Sequence, residues 1–402
     1  MKLLIKNGNI LTPFRQITGG GLLIENGVIS EVLEAKGDVQ RAESNLLASQ
    51  EDSKIIDASG NYIAPGFIDI HTHGAGGHDF MDGTVEAILE AARSHMRHGT
   101  TSLVPTTLTS SLEDLFRTLD NFKKAKEDYD GPELLGLHLE GPYFSMEQRG
   151  AQDPRFIKDP DRKEYTKILD YSRDIIRWTV APELKGALEM GRELKSRGVL
   201  PSIGHSNAIY EEVQRAFENG FTHVTHLYSG MSMVRRINAY RYAGVVESVF
   251  LIDEMTVEII ADGKHLPQSL LQLIYKIKGP ERICLVTDSM RAAGMPDGEY
   301  ILGSLKSGQQ VIVEEGVAKL PDRSAFAGSV ATADRLVKTM VEIASVPLID
   351  AVKMMTSTPA RIIGVADRKG VLAPGKDADI VIFDESINVK TVITKGVVRF
   401  IN

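Results

Sequence analysis

Two histidines separated by one residue, His71 and His73, directly follow the apolar run IAPGFIDI. On an extended segment, residues two apart project to the same side, so both imidazoles can reach one ion. Alone, such a pair is more often a surface or core pair than a metal site. Its place at the end of a predicted strand favours metal binding.

Three further residues with metal-binding side chains also follow apolar runs. Glu140 comes after LLGLHL and before Gly-Pro, His205 lies in PSIGHSNA, and His226 lies in THVTHLYSG. Each has a structural alternative: a cap or ion pair for Glu140, a turn residue for His205 and a core histidine for His226. We favour their convergence with His71 and His73 in one site. Imidazole and carboxylate ligands suit zinc or iron(II), and their number allows one or two ions per chain.

Asp288, in LVTDSM, is a candidate proton acceptor for this site. A metal ion lowers the pKa of a coordinated water to about 7 and polarises a carbonyl oxygen. A nearby carboxylate can take the proton of that water and return it to a departing amine nitrogen. The structural alternative for Asp288 is a cap or a turn. The sequence therefore predicts metal-dependent hydrolysis of an amide, with Asp288 as acid and base.

Three other histidines carry weaker signals. His138 lies two residues before Glu140, and we expect it to point away from the metal or only to border it. His223 is expected to be packed in the core. His265, in IADGKHLP, is either a substrate contact or an ordinary loop residue.

The elements that must position these residues are predicted strands and helices in alternation. Segments with helical periodicity, such as Thr84–Arg97, separate most of the predicted strands. The predicted strands are Ile63–Asp69 and residues 101–105, 134–139, 176–180, 199–203, 222–226, 256–260 and 283–287.

Eight parallel strands with crossover helices describe an α/β fold, a TIM (β/α)8 barrel, whose active site lies at the carboxyl ends of the strands. The metal-capable residues and Asp288 follow five of these ends. A doubly wound sheet is disfavoured, because no glycine-rich phosphate loop follows the first strand.

Both ends of the chain read as short strands with turns. Asn-Gly pairs at Asn7–Gly8 and Asn26–Gly27 are turn signals between alternating hydrophobic residues. We expect the two ends to form a small β-sandwich, with residues 1–61 and 367–402 flanking a barrel of residues 62–366. Residues Lys36–Lys54 are expected to be an irregular surface excursion.

Composition excludes several classes of protein. The net charge of −8 gives no reason to expect nucleic-acid binding, which requires a basic face. No apolar run approaches the length of a membrane span, and no signal-peptide core is recognisable at the start. The single cysteine, Cys284, lies in an apolar run and is expected to be a packed thiol. We predict a cytoplasmic protein.

Several stretches resemble the amidohydrolase superfamily and, within it, the N-acetylglucosamine-6-phosphate deacetylase family. They are APGFIDIHTHG, LHLEGPY, GHSNA, THVTHL, DGKHLP, LVTDSMRAAGMPDGEY, AGS and GVLAPGKDADIVIFD, in family order over nearly the whole chain. A glutamate after the third strand, rather than a carbamylated lysine after the fourth, distinguishes it from dihydroorotases and hydantoinases. The resemblance implies a metal held by Glu140, His205 and His226, with His71 and His73 available for a second ion.

The same resemblance implies a phosphorylated sugar substrate and a homodimer. The residues expected at the sugar phosphate are Ala151, Ser229, Gly230, Arg241 and His265, and those expected to line the sugar are Phe326, Ala327 and Gly328. Arg241 and His265 are expected to reach the neighbouring subunit's site. The Arg241 guanidinium suits phosphate because it can donate two parallel hydrogen bonds.

Two departures from the family pattern are expected to affect substrate recognition rather than the metal. Ser229–Gly230 stands where members usually carry Asn-Ala, and Gln152 stands where they usually carry a histidine. The implied reaction is hydrolysis of the N-acetyl amide of an N-acetylhexosamine 6-phosphate, with N-acetylglucosamine 6-phosphate as the first choice. The alternatives are N-acetylgalactosamine 6-phosphate, another phosphorylated amide, an N-acyl amino acid, or a non-catalytic barrel scaffold.

Overall fold

Parallel strands in chain order dominate the computed structural model, which describes residues 2–49, 52–127 and 130–402. Within that part, the barrel strands, numbered one to eight, are Phe67–Thr72, Thr100–Thr107, Leu137–Glu140, Ile175–Val180, Leu200–Ile203, His223–Val224, Thr256–Ile259 and Ile283–Leu285. Each pairs with the next, and the short strand Glu133–Leu134 pairs beside strand two. Backbone hydrogen bonds from Asp288 N to His71 O and from His73 N to Ser289 O, both 2.8 Å, join the last strand's end to the first. The predicted barrel is confirmed.

Helices follow the strands in turn. From the first barrel strand onward, the helices of the described chain are Val85–Met96, Leu112–Glu127, Arg162–Tyr171, Ala187–Ser196, Tyr210–Glu218, Val245–Leu251, Gln268–Lys278, Ala333–Glu342, Leu348–Met354 and Ser357–Ile362, with a 3-10 turn at Met146–Gln148. The helix predicted at Thr84–Arg97 begins where the Thr84 side chain accepts a hydrogen bond from Ala87 N, and it buries Ile88 and Ala91. An apolar stripe of this kind packs each helix against the strands.

Both ends of the chain meet in one β-domain, which we call the terminal sheet. Its strands pair in the order Val397–Ile401, Val389–Thr394, Ile380–Phe383, Tyr62–Pro65, Lys2–Leu11, Gln16–Glu25 and Val28–Leu33, with Ser53–Asp57 beside Lys2–Leu11. Its core contains side chains from both ends, such as Leu3, Ile24 and Ile380. The β-domain built from the two termini is confirmed, and the boundaries 1–61, 62–366 and 367–402 stay a prediction.

One predicted strand, Ile63–Asp69, belongs to two sheets. Tyr62–Pro65 pairs in the terminal sheet and Phe67–Thr72 in the barrel, and Gly66 joins the two strands. A Cβ atom at Gly66 would lie 2.2 Å from the Thr101 side chain. The glycine therefore permits a close approach that the hydrophobic pattern alone does not reveal.

The predicted irregular excursion Lys36–Lys54 is wrong for most of its length. Lys36–Ala48 is a helix that buries Val39, Ala42 and Leu46 against the terminal sheet. These three positions share one helical face, but polar residues surround them in the sequence and mask the signal. Residues 50 and 51 of the predicted excursion lie outside the described residues.

One small sheet and two hairpins lie in the segments that follow the barrel strands. A three-stranded accessory sheet, Gly298–Leu302, Gln309–Glu314 and Val317–Lys319, follows strand eight. Two short hairpins are Gly74–Ala75 with His78–Asp79, and Arg235–Ile237 with Tyr240–Tyr242. In the described chain no helix combines the length and apolarity that a membrane span needs.

Candidate active site

A cavity of about 290 Å³ opens at the carboxyl ends of the barrel strands. His73, Glu140, His205, His226 and Asp288 all line it. His71 is fully buried directly beneath. The structure therefore brings together every residue that the sequence singled out for metal binding and proton transfer.

Glu140 is the shared member of two groups of metal donors. Its Oε1 lies 3.2 Å from His205 Nε2 and 3.0 Å from His226 Nε2, and those two nitrogens are 3.2 Å apart. Its Oε2 lies 3.3 Å from His73 Nε2. In each group, Glu140–His205–His226 and His71–His73–Glu140, the donor atoms lie within 4.8 Å of one another. The arrangement could hold one or two metal ions.

The tautomers of three of these histidines are fixed by the partners of their outer nitrogens. His205 Nδ1 lies 2.8 Å from Gln148 O, and His73 Nδ1 lies 3.3 Å from Thr106 O. Because a backbone carbonyl can only accept, each Nδ1 carries the hydrogen. His71 Nδ1 lies 3.1 Å from Glu258 Oε2 in the same way. The Nε2 lone pairs consequently face the cavity, as metal ligation requires.

His71 Nε2 is a buried polar atom with no hydrogen-bond partner among the described residues. It lies 3.3 Å from Asp288 Oδ1 and 3.6 Å from Glu140 Oε1, aligned with neither. Burial lowers the pKa of His73, but its hydrogen bonds with Asp288 and Glu140 raise this pKa by more. The net result is a pKa of about 10, above its ordinary value. An orphaned nitrogen and a surplus of negative charge both fit a cation at this place.

Asp288 is buried yet ionised. Burial raises its pKa, while the charge of His71 and the hydrogen bond with His73 lower it more, so that the pKa lies below its ordinary value. Its backbone is held at both ends, by a hydrogen bond from its N–H to His71 O and by one from Ser329 N to its own carbonyl. An ionised carboxylate in this position can accept a proton.

Three of these residues adopt a left-handed backbone conformation directly after a barrel strand or its short extension. The φ angles are 48° at His205, 28° at His226 and 45° at Asp288. Residues other than glycine rarely adopt such φ angles, and this backbone conformation persists only where the surrounding structure holds it. The barrel rim thus turns the chain sharply and directs these side chains into the cavity.

A buried charged layer beneath the cavity was missed by the sequence reasoning. Glu258 accepts hydrogen bonds from Arg177, His71 Nδ1 and His226 N, and all of these groups are buried. Burial raises the pKa of Glu258, but the charge of Arg177 lowers it well below its ordinary range. The signal available in the sequence was a single charge inside each of two apolar strands, in TVEI and IIRWTV.

The outlying histidines have structural roles. His138 points into the barrel rather than away from the metal site, because it shares the face of Glu140, and its ring packs edge-on against His71 at 4.7 Å. His138 is held by Thr106 and Thr179. His223 is packed as predicted and bonds to Thr256 Oγ1 at 2.7 Å.

Most of the residues expected to contact substrate line the cavity. They are Ala151, Ser229, Gly230, His265, Phe326 and Gly328. Ala327 does not, since it packs in the core under the accessory sheet. Arg241 lies on the exposed hairpin Arg235–Tyr242 and is not among the residues lining this cavity.

Two expectations about these contacts are corrected. His265 faces its own chain's cavity rather than reaching away, because its Nδ1 bonds to Asp262 at 2.8 Å and its ring packs 4.7 Å from Phe326. The Ser229 N–H already donates to His226 O at 2.9 Å. Of the pair expected to meet phosphate, Gly230 is therefore the one whose N–H remains available within the described structure.

The glutamine that departs from the family pattern contacts the metal-binding group. Gln152 Nε2 donates to Glu140 Oε2 at 2.7 Å. The expectation that this departure affects substrate recognition rather than the metal stays a prediction, but it did not include this contact, which arises because the chain returns after the 3-10 turn and places Gln152 against the cavity wall. Spacing along the sequence gave no sign of this contact.

Comparison with known proteins identifies the family of this chain. A profile of the amidohydrolase family matches residues 62–399. The chain belongs to the amidohydrolase family. It is a hydrolytic enzyme, as predicted, and its donor groups could bind metal in keeping with the metal dependence of this family.

Named relatives of this amidohydrolase are sugar phosphate deacetylases. It is 37% identical over 349 residues to an N-acetylglucosamine-6-phosphate deacetylase of Lysinibacillus sphaericus, covering 86% of this chain and 87% of the relative. It is 33% identical to an N-acetylgalactosamine-6-phosphate deacetylase of Escherichia coli O157:H7, covering 83% and 86%. The crystal structure of N-acetylglucosamine-6-phosphate deacetylase from Pasteurella multocida superposes with a TM-score of 0.89 at 29% identity, covering 100% of both chains.

Proposed function

We propose that this amidohydrolase removes the acetyl group of an N-acetylhexosamine 6-phosphate, with N-acetylglucosamine 6-phosphate as the preferred substrate. The products are acetate and the amino sugar phosphate. The observation that carries the proposal is the convergence of five metal donors and the ionised Asp288 around one cavity of about 290 Å³. The deacetylase relatives that cover most of the chain support the choice of substrate.

Glu140, His205 and His226 would hold one ion, and His71 and His73 would hold a second together with Glu140. Nitrogen and oxygen donors of this kind favour zinc or iron(II). Such an ion, when bound, polarises the acetyl carbonyl and acidifies a water molecule.

Asp288 performs the proton transfers. Its carboxylate takes a proton from the attacking water as the water oxygen bonds to the acetyl carbon. It then delivers that proton to the amide nitrogen as the carbon–nitrogen bond breaks. Acetic acid and a neutral amine form, and Asp288 returns to its ionised form. The acetic acid then gives its proton to the amine or to water, which leaves acetate. Asp288 Oδ1 lies 3.1 Å from His73 Nε2, beside the group of metal donors, which supports this role.

Recognition of the phosphate requires local donors, because the chain carries a net charge of −8. Gly230 N and the His265 ring lie at the cavity, and Arg241 would come from a second subunit. We therefore propose a homodimer in which the exposed hairpin Arg235–Tyr242 crosses to the neighbouring cavity. Tyr240 on this hairpin is 73% exposed in the single chain, which fits a surface that a partner covers. A cytoplasmic location is proposed on the single buried cysteine.

N-acetylgalactosamine 6-phosphate is a second candidate substrate. The Escherichia coli relative named for that sugar is 33% identical, close to the relatives named for the glucosamine epimer. Ser229–Gly230 at the cavity replaces the usual Asn-Ala and removes an amide side chain from the sugar's surroundings. A changed preference between the two epimers would follow from this difference.

Metal removal and restoration test the proposal. Purified protein should contain at least one zinc or iron per chain and should release acetate and amino sugar phosphate in equal amounts from N-acetylglucosamine 6-phosphate. Chelation should abolish both the metal content and the activity, and added zinc should restore them. Full activity of a demonstrably metal-free protein would contradict the proposal.

A further inference from the structure

Gln152 makes two hydrogen bonds that fix its side chain. Its Oε1 accepts from Thr109 N at 2.9 Å, and its Nε2 donates to Glu140 Oε2 at 2.7 Å. Gln152 is only 5% exposed, and it lines the cavity. The amide is therefore held between a rigid backbone donor and a carboxylate.

The direction of this amide follows from the chemistry of its partners. A backbone N–H can only donate, so the Gln152 carbonyl oxygen must face Thr109. Because the oxygen of the amide is held at Thr109, the amide nitrogen is the end that faces Glu140, where a carboxylate oxygen accepts its N–H. Both ends of the amide are thus determined.

The hydrogen bond from Gln152 gives the two oxygens of Glu140 different partners. Oε2 receives Gln152 and lies beside His73, while Oε1 faces His205 and His226. A carboxylate turns easily about its terminal bond unless its oxygens are held. With Gln152 in place, Oε1 stays directed to His205 and His226, and Oε2 stays directed to His73.

We propose that Gln152 is a positioning residue that orients Glu140 for metal binding. Gln152 takes this role only if Glu140 is a metal ligand, as the proposed function requires. Outer hydrogen-bond partners of metal ligands typically contribute 10–100-fold to metal affinity. The departure from the usual family histidine at this position therefore acts on the metal site.

A histidine at this position can do part of the same work. Its ring offers one acceptor nitrogen for Thr109 N and one N–H for Glu140, whereas leucine offers neither. We expect Gln152→Leu to bind zinc roughly 10–100-fold more weakly than the native protein. Gln152→His should recover most of the loss.

Competition between the protein and a chromophoric zinc chelator measures these affinities. Gln272→Leu is the matched control, because Gln272 is an exposed glutamine on helix Gln268–Lys278. Thermal unfolding of the metal-free proteins reports whether each variant is folded. If Gln152→Leu fails to fold, Gln152→Met replaces it, since methionine keeps the length and flexibility of glutamine without a donor.

Several outcomes decide the matter. Zinc affinity of Gln152→Leu, or of Gln152→Met, equal to that of the native protein would overturn the inference, and so would a Gln152→His variant as weak as the donorless one. Recovery of kcat by the Leu variant at saturating zinc would support it. If no N-acetylhexosamine phosphate is hydrolysed but zinc affinity still follows the donor at position 152, the proposed substrate fails and this inference stands.

Discussion

At the scale of single residues, the orientation of the ligand histidines determines what the cavity can do. Gln148 O, Thr106 O and Glu258 take the Nδ1 hydrogens of His205, His73 and His71. The Nε2 atoms are left free to converge on Glu140 and Asp288. Metal donors and a proton acceptor are therefore set before any ligand binds, which avoids rearrangement during the reaction.

Replacing Asp288 should separate proton transfer from metal binding. Asp288→Asn keeps the shape of the side chain but cannot accept a proton, so kcat should fall by about 10²–10⁴-fold. Metal content should stay near that of the native enzyme, because the remaining donors are intact. Steady-state acetate release and elemental analysis measure the two effects. Asp297→Asn, at an exposed carboxylate, is the control. Native turnover in Asp288→Asn would show that the base lies elsewhere.

At the scale of elements, an ion-pair cluster joins the barrel to the carboxyl-terminal part of the chain. Glu133, beside strand two, accepts hydrogen bonds from Arg368 at 2.7 and 2.9 Å and pairs with Lys369 at 2.8 Å. Lys369 is buried and also contacts Asp377 and Asp379. Glu133, Asp377 and Asp379 have the spacing of a cation site, but the ammonium group of Lys369 pairs with all three and Arg368 pairs with two of them.

The cluster should give the protein a pH-dependent stability. Burial raises the pKa of Glu133, but the hydrogen bond from Arg368 and the charge of Lys369 lower it to about 2 from 4.5. Because the pKa of Glu133 is lower in the folded state, its ionised carboxylate stabilises the folded state above pH 4.5. This contribution to the free energy of unfolding is lost as the pH falls from 4.5 towards 2. Glu133→Gln should therefore lower the free energy of unfolding at pH 7 by about 1–2 kcal/mol, between the exposed and the buried cases.

Urea unfolding at pH 7 and pH 3 measures this difference. The gap between Glu133→Gln and the native protein should shrink at pH 3. Glu34→Gln is the control, since Glu34 and Arg15 form an exposed pair in the amino-terminal part of the chain. A gap that is unchanged, or larger, at low pH would contradict the assignment of this carboxylate.

The sequence predicted the elements wherever an apolar run ended in a polar side chain. That rule located the barrel strands and the candidate metal donors at their ends. It failed at Gly66, where a close approach to Thr101 splits one apolar run between two sheets. It also failed for the accessory sheet Gly298–Lys319, whose strands are not part of the βα repeat. Contacts between distant segments, such as Gln152 with Glu140 and Arg177 with Glu258, have no local signature in a single sequence.

At the scale of the whole molecule, the proposed phosphate site takes Arg241 from a second subunit. Arg241 is exposed on its hairpin, away from the residues that line its own chain's cavity. Arg241→Ala should raise KM for a 6-phosphate substrate by about 10–100-fold, because a charge-assisted hydrogen bond contributes ~1.5–3 kcal/mol. The KM for the unphosphorylated sugar should hardly change. Initial rates over a range of substrate concentrations measure both.

Mixed dimers test whether Arg241 acts across the interface. In a heterodimer of Arg241→Ala and Asp288→Asn subunits, one cavity has both an intact Asp288 and a native Arg241 from the partner. After unfolding and refolding an equal mixture, the activity at low substrate should recover to roughly a quarter of native, since half the dimers are mixed and each has one complete site. Activity no higher than the mean of the two variants would place Arg241 outside the neighbouring site.

The most direct test of the proposed activity is acetate release by the zinc-loaded enzyme from three substrates. These are N-acetylglucosamine 6-phosphate, its galactosamine epimer and unphosphorylated N-acetylglucosamine. We predict that kcat/KM for at least one 6-phosphate exceeds that for the unphosphorylated sugar by about 10-fold or more, the worth of one charge-assisted hydrogen bond. Equal kcat/KM with and without phosphate, or no acetate release from any of the three, would contradict the proposed function.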